Sequence, residues 1–221
     1  MAEQGKRRRT YNSPLRAEQA AATRRGILEA ADRLFAANGY GGTSMAAIAA
    51  EAGVAVKTVY LAFETKSGVL RALWNLRLRG ERDDVPIAQQ RWYREALDER
   101  DPERQLRLNA RNSRAAKSRI AGVLRVIRAA APLDAEIAVL WDRIQSDYHG
   151  NQRAIVQRVA ANGALRPGLG VALATDVLWT INHPDVWHLL VVERGWSPKR
   201  YERWTADSAC EQLLVQGPTR R

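Results

Sequence analysis

Apolar side chains return every three or four residues along nearly the whole chain, which is the helical period. In the first such stretch Ile27, Leu28, Ala31, Leu34 and Phe35 fall on one face. Ser13-Pro14 opens that helix, with Ser as N-cap and Pro at the first helical position. Asn38-Gly39 ends it, Gly39 supplying a left-handed cap. The pattern therefore predicts a helix from Pro14 to Ala37. Thr43-Ser44 caps a second, short helix from Met45 to Ala52, with Ile48 and Ala49 inward. A third spans Ala55 to Ala62 and turns Val59 and Phe63 inward. A fourth starts near Lys66 and carries Val69, Leu70, Leu73 and Trp74 on one face. Turns this short leave no room for a strand. Further helices are predicted over Ile87–Glu99, Glu103–Ala130, Asp134–Ala161, Gly170–Ile181, Asp185–Arg194 and Pro198–Val215. No run sustains the period-two alternation of a half-buried strand. The expectation is an all-α fold of about nine helices.

Residues 43–63 combine two of these helices into a helix-turn-helix pattern. Gly53 supplies the positive φ that a three- or four-residue turn demands. Val54 and Val59 fill the space between the helices, and the small Ala49 permits a close crossing. The outward face of the second helix offers Val56, Lys57, Thr58, Tyr60 and Leu61 to a major groove. An ordinary α-hairpin in a bundle is the competing reading; the flanking charge and hydroxyls favour DNA.

Composition sharpens that preference. The 221 residues hold 35 Lys and Arg against 24 Asp and Glu, a net charge of +11. Such a balance favours polyanionic partners. The excess is concentrated at the start: residues 1–25 carry seven basic side chains, Lys6, Arg7, Arg8 and Arg9 among them, against Glu3 and Glu18. Four adjacent cations cannot pack a core, so residues 1–12 are expected to form a basic arm that follows the DNA. No stretch approaches 18 apolar residues, which argues against a membrane span. The N-terminal charges precede no apolar run, and Cys210 is the only cysteine, so a reducing cytoplasm is the expected location. No Ser/His/Asp set or glycine-rich phosphate loop stands out, so no enzymatic activity and no cofactor are expected. His149, His183 and His188 lack the i, i+3 or i+4 spacing of helical metal ligands, so no metal site is expected.

The sequence resembles the TetR family of transcriptional regulators over residues 24–74. The carriers are Ile27-Leu28-x-Ala30-Ala31-x-x-Leu34-Phe35, Gly39-Tyr40-x-x-Thr43-Ser44, Ile48-Ala49, Ala52-Gly53-Val54, Thr58-Val59-Tyr60-x-x-Phe63 and Lys66. Ala174-x-Asp176-Val177-Leu178-Trp179, His183-Pro184-Asp185-Val186, Glu193-Arg194-Gly195-Trp196-Ser197-Pro198 and Tyr201-x-x-Trp204 extend it with less specificity. The resemblance implies a DNA-binding domain, here residues 13–66, and a ligand-binding and dimerisation domain, here 67–221. It implies that Thr43 and Ser44 cap the second helix and touch a phosphate. Lys57 and Thr58, with Val56, would face base edges, and Tyr60 and Lys66 would hold the DNA backbone. Two positions depart from the family: Ala55 lacks a capping side chain, and Ala62 lacks a phosphate contact.

The C-terminal helices carry two further expectations. Leu173, Val177, Leu178, Leu213 and Leu214 are more apolar surface than a short helix pair buries alone, which suggests a homodimer interface. Trp141, Tyr148, Trp179, Asn182, His183 and Trp187 combine large rings with few polar groups, as small-molecule pockets do. Rings that simply pack on one another are the alternative. Arg104, Arg107, Arg111 and Arg114, extended by Arg100 and Lys117, read as a solvated stripe or as a site for an anion. The expected function is a homodimeric repressor that binds an inverted-repeat operator and is released by a small apolar or aromatic ligand. The alternative is a DNA-binding regulator, such as an activator, without a ligand.

Overall fold

A computed structural model of the chain describes residues 14–79 and 89–215. The expected N-cap Ser13 and the basic residues Lys6, Arg7, Arg8 and Arg9 lie outside the described residues, as does the start of the helix expected from Ile87. The helices run α1 (Pro14–Asn38), α2 (Met45–Glu51), α3 (Val56–Phe63), α4 (Lys66–Arg79), α5 (Arg91–Asp98), α6 (Pro102–Ala130), α7 (Ala135–Ala161), α8 (Val171–Ile181), α9 (Pro184–Trp187) and α10 (Pro198–Leu213). The all-α expectation holds, and no strand occurs among the described residues.

Two ends differ from expectation. The helix expected over 185–194 begins as α9 and widens into a π-helical turn, His188–Glu193. The wider turn lets the Arg194 and Trp196 N–H groups reach the carbonyls of Leu189 and Leu190. The last helix stops at Leu213, because Leu214 forms an antiparallel bridge with Leu165. The Arg166 N–H donates to the Leu213 carbonyl at 2.9 Å, and the Val215 N–H donates to that of Ala164 at 3.0 Å. These bonds give the chain end other partners than a further helical turn.

The apolar faces collect into two cores. The first joins α1–α4 to the C-terminal part of α6 and the start of α7, through Ile27, Phe35, Ile48, Val59 and Leu70 packed with Ile127 and Ile137. The second lies between α5, α6, α7, α8 and α10, around Leu106, Ile155, Val159, Leu178 and Leu213. Each fully buried Leu or Ile contributes roughly 1.5–3 kcal/mol, so α1 and α4, which carry the helix-turn-helix, are packed firmly onto α6 and α7 rather than tethered to them. This corrects the dimer residues. Leu178 and Leu213 are 1% and 0% exposed inside the chain's own second core and offer nothing to a partner. Val177 and Leu214 are half-buried against the same core, and of the five only Leu173 stands fully exposed. The expectation failed because α7 and α6 together cover more of α8 and α10 than a helix pair alone would.

Candidate functional site

The recognition element is built from its turns. Gly39 and Gly53 adopt φ of +68° and +67°, and the chain bends by 113° between α2 and α3. Ser44 caps α2, its hydroxyl accepting from the Ala47 N–H at 3.1 Å. Ala55 stands at the N-cap of α3 and makes no side-chain cap bond. Val59 and Phe63 lock α3 onto the core, which leaves Val56, Lys57, Tyr60 and Leu61 exposed on its other side. Leu61 is 76% exposed, and a helix of this length cannot bury it without a partner. Thr58 is half-buried at the edge of the face. Arg24 of α1 reaches the far end of α3, donating to the Ala62 carbonyl at 2.6 Å while lying 4.1 Å from the Phe63 ring centre. That bond satisfies a helix-end carbonyl and brings positive charge to the C-terminus of the recognition helix.

Two of the expected DNA contacts are engaged inside the protein. Thr43 is 2% exposed, and its hydroxyl donates to the carbonyls of Gly39 at 2.8 Å and Leu34 at 3.2 Å. It closes the turn before α2 and neither caps α2 nor faces outward. Lys66 is likewise turned in: its ammonium donates to the carbonyls of Tyr40 at 2.8 Å and Thr43 at 3.0 Å and lies 4.2 Å from the Tyr40 ring centre. The carbonyl cluster of a tight turn outcompetes solvent for this cation. The expected contact of Lys66 with the DNA backbone thus gives way to a folding role.

The same turn is gripped from the other side. Tyr40 donates its hydroxyl to Asp134 Oδ2 at 2.5 Å, and Ser67 donates to Glu136 Oε2 at 2.6 Å. Asp134 also caps α7 through the Glu136 and Ile137 N–H groups. The Tyr40 hydroxyl holds the Asp134 carboxyl below the usual range, and burial beside that carboxylate raises the Tyr40 phenol. The first turn of α7 is thus bonded to the two segments that flank the helix-turn-helix, the α1–α2 turn and the start of α4.

Farther along, α7 enters a buried polar cluster. Lys117 of α6 is 3% exposed. Its ammonium donates to Ser113 Oγ at 2.5 Å and Asn182 Oδ1 at 3.2 Å. Asn182, fully buried at the end of α8, donates to Gln152 Oε1 at 3.4 Å, which also accepts from Asn109 Nδ2 at 3.0 Å. The Tyr148 hydroxyl donates to the Asn182 carbonyl. Burial lowers the Lys117 ammonium well below the lysine range and raises the Tyr148 phenol. Trp187 packs edge-on against Tyr201 at 5.0 Å, and Trp179 against His183 at 4.7 Å. The expected pocket residues Tyr148, Asn182 and Trp187 therefore gather around this cluster. Trp179 and His183 stack beside it, and Trp141 packs on the first core. A cleft of about 770 Å³ opens elsewhere, between α1, α4 and α6, lined by Leu73, Arg77, Arg119 and Val123 among others.

Sequence reasoning placed Lys117 at the end of a solvated arginine stripe. The signal against that was present: Leu106, Ala110, Ser113, Lys117, Ile120, Leu124 and Ile127 share one helical face. Three arginines of the stripe are ion-paired, Arg104 to Glu99, Arg107 to Glu103 and Asp207, and Arg114 to Glu202. The histidines serve locally. His149 meets Asp176 at 3.0 Å, His188 meets Glu193 at 3.3 Å, and His183 caps α9. Among the described residues no single helix is long and apolar enough to cross a membrane.

Comparison with known proteins agrees with this architecture. The family model of bacterial regulatory proteins of the tetR family matches residues 27–73, the stretch from mid-α1 to α4. No curated protein matches the chain by sequence. Among solved structures, NalD of Pseudomonas aeruginosa, described as the secondary repressor of the MexAB-OprM multidrug efflux pump, is 22% identical. It covers 90% of this chain and 100% of its own, with a TM-score of 0.70. SmeT in complex with triclosan is 24% identical over 89% of this chain and 93% of its own, with a TM-score of 0.68. FadR of Bacillus subtilis in complex with stearoyl-CoA is 20% identical over 84% and 96%, with a TM-score of 0.65. The resemblance to TetR regulators read from the residues is borne out, and the chain has the helix-turn-helix and the fold of that family of transcriptional regulators.

Proposed function

We propose that this chain is a homodimeric transcriptional repressor that binds an inverted-repeat operator and lets go of it when a small molecule enters the domain spanning residues 67–221. The observation that carries the DNA reading is the face of α3. Val56, Lys57, Tyr60 and Leu61 are exposed on a helix whose opposite side is locked into the core. Lys57 suits the guanine O6 and N7 acceptors, and Val56 or Leu61 suits a thymine methyl. Ser44 at the start of α2 stands where a phosphate would meet helix N–H groups. Residues 6–9 would add sequence-independent charge along the minor groove. Two recognition helices related by a two-fold axis must sit about 34–36 Å apart to enter successive major grooves.

The dimer reading keeps Leu173 and adds two residues of the π-helical turn. Leu173 of α8 and Leu189 and Val192 of the π-helical turn are each more than half exposed, which is costly for apolar side chains without a partner. A ligand acts by preferring a spacing of the two recognition helices that the operator does not accept, and only to the extent of its differential affinity. That SmeT was solved with triclosan and FadR with stearoyl-CoA supports a small-molecule ligand for a chain of this fold. No constellation for catalysis enters this reading.

Selection of bound sites from random duplex DNA by the full-length protein tests it. The expected product is an inverted repeat with half-sites one helical turn apart. Salt-sensitive binding without any enriched sequence would overturn the reading.

A further inference from the structure

Lys117 brings a cation into the interior, and none of the ion pairs among the described residues supplies it with a carboxylate. Buried charges are normally paired, because desolvation outweighs what neutral dipoles return. Here the partners are neutral: Ser113 Oγ and Asn182 Oδ1, with the rings of Tyr148 and Tyr201 at 5.8 and 5.3 Å. The Asn182 oxygen is fixed toward Lys117 because its amide nitrogen is committed to Gln152. The nearby cations are already neutralised, Arg114 by Glu202 at 2.5 Å and Arg128 by Asp185. Two fully buried hydroxyls beside the cluster, those of Tyr201 and Thr205 one turn apart on α10, have no hydrogen-bond partner. The two are neighbours: burial raises the Tyr201 phenol and the adjacent Thr205 hydroxyl lowers it. The Lys117 ammonium of α6, which has no carboxylate partner, thus lies among Tyr148 of α7, Asn182 of α8 and the ring of Tyr201 of α10, whose hydroxyl neighbours that of Thr205.

We propose that this junction receives the head group of the effector, and that the effector is a small monocarboxylic acid with an aromatic or aliphatic body. The proposal rests on the reading of the chain as a ligand-released regulator. One carboxylate matches one cation; a dianion would leave a charge uncompensated among apolar walls. The carboxylate accepts from the Lys117 ammonium and from the Tyr201 and Thr205 hydroxyls, and the body lies against Tyr148 and Trp187. A bound anion also favours the charged form of Lys117, which burial alone disfavours. The route to DNA is α7. Tyr148 and Gln152 touch the cluster in its middle, and Asp134 and Glu136 at its start hold Tyr40 and Ser67, which flank the helix-turn-helix on either side. Displacing the middle of one continuous helix moves its bonded end.

The test uses the full-length protein near neutral pH with benzoate, cinnamate, salicylate and decanoate, each against its primary amide. Melting temperature and tryptophan emission are read for the wild type, Lys117→Met and Tyr201→Phe. At least one acid should raise the wild-type melting temperature with an affinity about tenfold or more above its amide. Lys117→Met should abolish that difference and, without ligand, melt above the wild type, because an unpaired buried cation is gone. Tyr201→Phe should fold as the wild type and bind the acid more weakly. The proposal is overturned if Lys117→Met melts below the wild type, if the acid–amide difference survives in it, or if no acid separates from its amide. Unliganded DNA binding is read in parallel. Its loss in the wild type would sink the regulator reading, whereas an acid-selective shift lost in Lys117→Met would still stand.

Discussion

The Lys66 ammonium lies 2.8 Å from the Tyr40 carbonyl oxygen and 4.2 Å from the centre of the same residue's ring. A cation held by two carbonyls and a ring is part of the turn between α1 and α2. Lys66→Ala leaves the Tyr40 and Thr43 carbonyls without that donor in a half-buried site, at a cost of about 1–3 kcal/mol. Thermal unfolding should show a lower midpoint, and hydrogen exchange should show faster exchange around Gly39–Thr43. A phosphate-contacting lysine would behave oppositely: the midpoint would hold and the salt slope of DNA binding would fall by about one.

Lys57 is the long cation that remains on the exposed face of α3. Lys57→Ala should relax preference at one base of each half-site, at about 1–3 kcal/mol, while other positions keep theirs. Competition binding with single-base operator variants reads this directly. Equal weakening on every variant would make Lys57 a backbone contact.

Much of this architecture is legible in the order of the amino acids. Gly39 and Gly53 mark the turns, because only a residue without Cβ enters the left-handed region cheaply. The period of Ile27 to Phe35 marks α1. What that order does not display is which polar residues turn inward. Thr43, Lys66 and Lys117 are polar by type, and their partners include backbone carbonyls and, for Lys117, Asn182 far away in sequence, which composition does not reveal. Leu178 and Leu213 failed for a related reason. An apolar face says that burial is required, not whether the cover comes from α7 of the same chain or from a second copy.

That distinction yields opposite outcomes for two leucines on α8. Leu178→Glu would put an unpaired charge into the second core and should unfold the protein, lowering helical circular dichroism at room temperature. Leu173 is 59% exposed, so Leu173→Glu should leave the fold intact and shift the dimer toward monomer in sedimentation. A folded monomer from Leu178→Glu, or an undisturbed dimer from Leu173→Glu, would move the interface elsewhere.

Glu64 ends the recognition helix at φ +63° and ψ −52°, a conformation that L side chains rarely adopt. Its N–H donates to the Tyr60 carbonyl at 2.8 Å, so the strained residue closes the last turn of α3. Glycine relieves the steric cost and loses some unfolded-state restriction in exchange. Glu64→Gly should therefore stabilise by about 0.5–1 kcal/mol in thermal unfolding. Destabilisation by that substitution would mean that the Glu64 side chain, rather than its backbone, holds the helix end.

The unpaired cation of Lys117 makes a separate prediction about pH. Burial lowers its pKa in the folded chain, whereas the unfolded chain titrates it near ~10.4. Between those two values the unfolded state holds a proton that the folded state lacks, so this group's contribution to stability rises with pH. Below the lowered value both states are charged, and the penalty of the buried cation is fully present. Of the neighbouring titratable groups, burial raises the Tyr148 and Tyr201 phenols, and His183 is lowered by burial and by the Lys117 charge, so the comparison is read above the histidine range. The wild type should therefore melt furthest below Lys117→Met at the acid end of the window, and the gap should close as pH rises toward ~10. A bound carboxylate changes the sign of the argument. It stabilises the charged ammonium, lifts its folded pKa toward the free value, and so flattens the pH dependence of the gap. Scanning calorimetry of both proteins across this range, with and without saturating acid, reads both effects. A gap that stays constant with pH in the unliganded protein would show that the interior already neutralises Lys117, and the case for an anionic effector there would fall with it.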